Sequence, residues 1–198
     1  MKKDLTVNNA LTWWNEATIG LDLSLTCTGY CMSSKEGSQA FGTIEPGKER
    51  SSCERIKYIR DHLMELPLKP LAVIEDFGFG TKGRGFEIGG LGWAVRIALY
   101  ERKMPYILVA PTVVKKFVCG VGNVDKNVIL KEVYKRWNFD TNDDNVADAF
   151  ALNKIAEGLV GRYQPQTSIQ LMILEDLLKN MGKQEGTTIE FLNSKLEG

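Results

Sequence analysis

Apolar and polar positions along this chain follow two periods, and the switches between them mark out the elements. The stretch TIGLDLSLTCTGYCMSS, residues 18–34, alternates at period two and is rich in β-branched residues. That pattern, with a glycine at Gly29, predicts two antiparallel strands joined by a tight turn. A third strand, QAFGTIEP, follows. Ser51 and Ser52 then offer a helix cap, Glu54 lies near the first turn, and Ile56, Ile59, Leu63 and Leu66 recur at helical spacing up to Pro67. LAVIEDF is a short apolar run between Pro70 and Gly78, the pattern of a buried strand covered on both faces, with an acid at its carboxyl end.

Further along, GFGTKGRGFEIGG is so rich in glycine that it predicts a mobile, exposed loop. A helix is expected over about 90–103, then a strand in PYILVAP, a short helix in TVVKKFV, a GVG turn, and a helix in DKNVILKEVYKRW opened by Asp125. NDDNVADAFALNKIAEGLV reads as a helix with acids in its first turn, and SIQLMILEDLLKNM as a separate amphipathic helix after a break at 161–165. Three strands, a helix, a strand, then alternating helix and strand make an α/β protein, a mixed five-stranded sheet flanked by helices on both faces. The order fits an RNase H-like fold. Residues 1–17, which include Trp13 and Trp14 and show no clear period, are expected to form an N-terminal extension packed on the domain or on a partner. Residues 18–160 form the main domain and 161–198 a C-terminal helical extension.

The chain has 198 residues, 43% of them hydrophobic, with 25 Lys+Arg against 25 Asp+Glu. A single globular domain of this size buries roughly 70% of its unfolded surface, so its core needs neither disulfides nor a structural metal. Disordered and fibrous classes are excluded. No apolar run reaches the roughly 18 residues of a membrane span, and no apolar segment follows the two lysines at the start, so a cytoplasmic protein without a membrane partner is expected. Cys27, Cys31, Cys53 and Cys119 show no CxxC spacing, and Cys27 and Cys31 fall in strand-like text, so packed, reduced thiols are expected. The single histidine, His62, lies in charge-rich helical text and reads as surface. Zero formal charge argues against coating nucleic acid by bulk electrostatics, but leaves room for a local basic face around an acidic site.

Three acids stand where apolar residues belong. Asp22 sits mid-strand between Leu21 and Leu23, Glu75 ends the apolar strand Ala72, Val73, Ile74, and Asp148 lies in a helix among Val146, Ala147, Ala149 and Phe150. One such acid is readily explained by an Arg or Lys partner; an unpaired buried carboxylate costs several kcal/mol. Three together suggest another balance. If the strands of Asp22 and Glu75 are neighbours and the helix crosses them, the acids form an oxygen-rich site for Mg²⁺ or Mn²⁺. Two such ions about 4 Å apart can drive phosphodiester hydrolysis.

Four segments then carry a family resemblance. GLDLSLTCTGY (20–30), AVIEDF (72–77), TVVKKFVCGVGNVDKNVI (112–129) and DDNVADAFAL (143–152) resemble, in order, the RuvC-type Holliday-junction resolvases, over roughly residues 17–157. The third segment is the most specific, because the fold alone does not demand its helix, Gly-x-Gly turn and following lysine. The resemblance implies a homodimeric, Mg²⁺-dependent crossover junction endodeoxyribonuclease with two ions, which Mn²⁺ can replace, acting on four-way DNA junctions. Asp22, Glu75 and Asp148 match the family's catalytic, metal-holding acids, and Lys115 and Lys126 match basic positions that contact DNA near the site, with Lys116 beside them.

Two departures from the pattern stand out. The family commonly has an acid or a histidine three residues before the last aspartate, where this chain has Asn145, while Asp144 lies four before. Residues three and four apart share a helix face, so Asp144 is taken as the fourth acid, with Asn145 as a neutral oxygen ligand. Asp144 also has a simple helix-dipole explanation. The family also often places an aromatic soon after the strand-end glutamate, and here Phe77 and Phe79 compete. Either could stack on an unpaired base, worth about 1 to 3 kcal/mol, or fold back as a loop anchor. Lys82 and Arg84 in the glycine-rich loop add to a phosphate-tracking face.

A broader branched-DNA or flap endonuclease of the same fold is the main alternative. An inactive DNA-binding protein is another, and an actin-like ATPase fragment a third, since DLSLTCTG could also hold phosphates, although such enzymes need a much longer chain. Small size and neutral charge would suit a bacteriophage version acting in the host cytoplasm.

Overall fold

The computed structural model describes residues 7, 11, 16–66, 70–77 and 85–181, and of Lys126 only the backbone. Phe79, Lys82 and Arg84, the centre of the glycine-rich segment, lie outside the described residues, as do Trp13 and Trp14. Eleven elements follow one another among the described residues: β1 (Thr18–Asp22), β2 (Thr28–Ser33), β3 (Gln39–Ile44), α1 (Ser52–Met64), β4 (Leu71–Glu75), α2 (Gly85–Glu101), β5 (Tyr106–Val109), α3 (Pro111–Cys119), α4 (Lys126–Trp137), α5 (Asp144–Leu159) and α6 (Ser168–Asn180). They build a five-stranded sheet in the order β3-β2-β1-β4-β5. The β1–β2 and β2–β3 pairs are antiparallel, while β4 and β5 run parallel to β1. The mixed sheet expected from the element order is therefore present, with helices on both faces.

Alternation along the strands sorts side chains to two cores. Ile19, Leu21, Ala72 and Ile74 pack with Ile59 and Leu63 of α1 and Leu91, Val95 and Leu99 of α2. The opposite face carries Cys31, Leu71, Val73, Ile107 and Val109 against α3, α4, α5 and α6. Val7 belongs to this second core, and the Leu11 N–H donates to the Leu159 carbonyl at 2.7 Å. On α6, Gln170 is fully buried; its amide donates to the Phe117 carbonyl at 3.1 Å and accepts from the Tyr163 hydroxyl at 3.0 Å. Those parts of both predicted extensions thus pack on the same core as the domain.

Several local expectations are corrected. The turn after β1 occupies residues 23–27, so Cys27 lies in the turn rather than in a strand, and Gly29 is a β2 residue paired with Asp22. Hydroxyls close this turn instead of a glycine: the Ser24 N–H donates to Thr28 Oγ1 at 3.0 Å, and Thr28 Oγ1 donates to the Ser24 carbonyl at 2.7 Å. Helix α2 starts at Gly85, well before residue 90, because Ile88, Leu91 and Val95 bury against α1, and that packing outweighs the poor helix propensity of its glycines. His62 is half-buried, with its ring 3.9 Å from that of Tyr58. Ser51 caps α1 through a reciprocal capping box with Glu54, a contact worth about 1 kcal/mol. All four cysteines are free thiols. No described helix is long and apolar enough to cross a membrane.

Candidate active site

Asp22 and Glu75 end two adjacent parallel strands. The β1–β4 register runs from Thr18 opposite Leu71 to Leu21 opposite Ile74, so the next step along each strand sets Asp22 beside Glu75. Neighbouring strands lie about 4.8 Å apart, which fixes the spacing of the two backbones there. Leu21 and Ile74 point into the α1/α2 core, so by alternation both acids share the face covered by α5.

Helix α5 is brought down onto that face by two strand glycines. A Cβ at Gly20 would stand 2.1 Å from the Ala149 carbonyl oxygen and 2.3 Å from the Asn153 nitrogen; one at Gly29 would stand 2.1 Å from the Asn145 carbonyl oxygen. Only glycine permits such a close backbone approach. Gly29 is the cross-strand partner of Asp22, so the first two turns of α5, which carry Asp144 and Asp148, lie over the strand end that holds the acids. Asp143 caps the helix, its side chain accepting from the N–H groups of Asn145 and Val146.

All four acids are half-buried rather than fully enclosed, and none is without a polar or electrostatic partner. Among the described residues no three or more His, Cys, Asp or Glu side chains are drawn together closely enough to hold a metal ion. The backbone thus gathers the acids at one sheet end without closing their side chains into a ligand cage. Carboxylate oxygens on a rigid sheet end do suit a hard divalent cation in their donor chemistry.

No protein-family model matches the chain. The crossover junction endodeoxyribonuclease RuvC of Chloroherpeton thalassium is 29% identical over 147 residues, covering 68% of this chain and 78% of that protein. Its counterpart from Synechococcus sp. is 27% identical over 149 residues, covering 68% of this chain and 93% of that protein. Thermus thermophilus RuvC, solved in complex with Holliday junction substrate, shares the fold with a TM-score of 0.59 at 18% identity, over 76% of this chain and 99% of that one. The chain is RuvC-like. Its fold is the RNase H-like one that the element order predicts.

In this RuvC-like chain the other predicted site residues separate into groups. Lys115 and Lys116 are half-buried on α3, and Lys126 opens α4. Lys115 and Asp148 both act on the Cys119 thiol at the end of α3: burial pushes that thiol up, Glu132 and Asp148 add to the rise, and Arg136 and Lys115 oppose it. Phe77 is half-buried and folds back on α2, where a Cβ at Gly92 would come within 2.5 Å of its ring.

The amide nitrogen of Asn145 is engaged by its own helix cap and by the turn after β1. Its amide donates to Asp143 Oδ1 at 3.2 Å and to Cys27 Sγ at 3.4 Å. Cys27 itself is held as a thiol, pushed up by burial first and then by Asp143, Glu45 and Asp144. Sequence reasoning missed the part played by Cys27, Gly20 and Gly29. For the glycines a signal existed, since a glycine inside an apolar strand often marks close backbone approach.

Proposed function

We propose that this chain is a divalent-metal-dependent endonuclease that resolves four-way DNA junctions by paired strand cleavage. The observation that carries the reading is the convergence of Asp22 and Glu75 at neighbouring strand ends beneath the turns of α5 that bear Asp144 and Asp148. The RuvC name of its curated relatives supplies the substrate. Asp22, Glu75, Asp148 and Asp144 would hold the cation, Mg²⁺ or Mn²⁺. When bound there, such ions supply the charge that activates water and steadies the leaving oxygen of a phosphodiester. Lys115, Lys116 and Lys126 serve the DNA backbone, each phosphate contact adding about one unit to the salt dependence of binding.

Paired cleavage needs two active sites, and α2 offers a surface for a second copy. Phe86, Trp93, Ile97 and Tyr100 are 95%, 55%, 51% and 62% exposed, and their spacing sets them on one helix face. Arg96 lies 3.9 Å over the Trp93 ring at the edge of this stripe. A homodimer through α2 covers apolar surface that a lone chain would leave in water.

The test is cleavage of end-labelled four-way junctions, flaps and linear duplexes in Mg²⁺ by the parent protein and by Asp22→Asn, with sedimentation of both and of Trp93→Glu. Symmetric paired nicks confined to the junction, lost in Asp22→Asn while junction binding persists, are expected, along with a dimeric parent and a monomeric Trp93→Glu. Equal cutting of flaps would establish a general branched-DNA nuclease. Wild-type cutting rates in Asp22→Asn would remove the site assignment.

A further inference from the structure

The first turn of α5 is tied sideways to the turn that follows Asp22. Both amide hydrogens of Asn145 are spent on this tie, one on Asp143 Oδ1 at 3.2 Å and one on Cys27 Sγ at 3.4 Å. Cys27 Sγ in turn donates to Glu45 Oε1 at 3.9 Å, and that oxygen also accepts from Thr43 Oγ1 at 3.5 Å. The anchor is itself held, since Ser24 Oγ accepts from the Cys27 N–H at 3.5 Å and Ser24 and Thr28 close the turn. From below, the Asn145 carbonyl rests over Gly29 with no room for a Cβ, so the height of the helix is fixed by backbone contact. The side-chain string that runs Asp143, Asn145, Cys27, Glu45 adds a lateral tie at the first turn to the core packing of the helix's buried face.

We propose that Asn145 acts as a positioning residue through its amide nitrogen: with Cys27 it sets where the first turns of α5 carry Asp144 and Asp148 relative to Asp22 and Glu75. The proposal rests on the reading of those four acids as the cation site. An aspartate in place of Asn145 would lose both donated hydrogen bonds and would add a third anion beside Asp143 and Glu45. Groups that orient ligands without touching the metal commonly change metal affinity by about 10- to 100-fold when removed.

The test is Mn²⁺ binding to the full chain by calorimetry without DNA, together with thermal melts in chelator. The proteins are the parent, Asn145→Ala, Asn145→Asp, Cys27→Val, Cys27→Ser and the Cys27→Val/Asn145→Ala double variant. Asn145→Ala and Cys27→Val are each expected to weaken Mn²⁺ binding about tenfold, and the double variant no more than the worse single one. Cys27→Ser keeps an acceptor for the amide and should bind like the parent, and Asn145→Asp should not bind more tightly. Tighter binding by Asn145→Asp, or parental binding by Cys27→Val beside a weakened Asn145→Ala, would make Asn145 a ligand and overturn the proposal. Parental affinity in every variant would overturn it too. If the parent binds no Mn²⁺, the nuclease reading falls and takes the positioning role with it. The chelator melts then still show whether Asn145 and Cys27 are coupled, which separates that failure from a missing contact.

Discussion

On the side of the sheet that faces α1 and α2, side chains fill the space between layers; on the side that faces α5, at β1 and β2, the helix backbone itself comes down onto the strands. Ile19, Leu21 and Ile74 meet Ile59, Leu91 and Val95 across the first interface. Across the second, Gly20 and Gly29 offer no side chain, and the backbone of residues 145–153 occupies the vacated volume. A layer filled by side chains tolerates small adjustments, because rotamers and neighbouring chains can give way. A layer closed by backbone has nothing that can yield. It is also the layer on whose strand ends and helix turns Asp22, Glu75, Asp144 and Asp148 are placed.

That contrast can be broken in three ways. The largest effect is expected from Gly20→Val. Its Cβ would meet the Ala149 carbonyl and the Asn153 nitrogen, both backbone that cannot move aside, so the usual overpacking cost of about 1 to 3 kcal/mol is a lower bound. Circular dichroism melting should show a protein largely unfolded or far less stable, and a parental melting temperature would refute the backbone-contact account. Next comes Leu91→Ala on the other face, fully buried, which should cost about 2 to 5 kcal/mol in denaturant unfolding yet leave a folded chain. A loss as complete as that of Gly20→Val would erase the distinction between the faces. The smallest effect has the opposite sign. Thr18 is fully buried on the α5 side, and its hydroxyl has no hydrogen-bond partner among the described residues. Thr18→Val removes that unpaired group at nearly constant shape and should add about 1 kcal/mol to stability. A destabilised variant would mean the hydroxyl is paired.

Much of this arrangement is legible in the sequence where the signal is local. The run LAVIE ends in Glu75, and an apolar helix interrupted by Asp148 announces an acid facing inward, because both patterns depend on near neighbours. The start of α2 is not legible, since GFEIGG reads as loop until α1 is there to bury Ile88 and Leu91. The role of Asn145 is equally hidden: its sulfur partner lies 118 positions away, and no spacing rule connects them. Phe77 shows the same limit, because only the fold reveals that Gly92 leaves room for its ring.

The strand order has a consequence for the making of the protein. Strands β1, β2 and β3 pair through short connections and can zip together as soon as they are synthesised. Glu75 joins Asp22 only after the α1 crossover has been laid down, and Asp144 and Asp148 arrive later still, behind β5, α3 and α4. A chain paused just before α5 therefore holds all five strands, but Gly20 and Gly29 are still uncovered and only Asp22 and Glu75 of the four acids have been made.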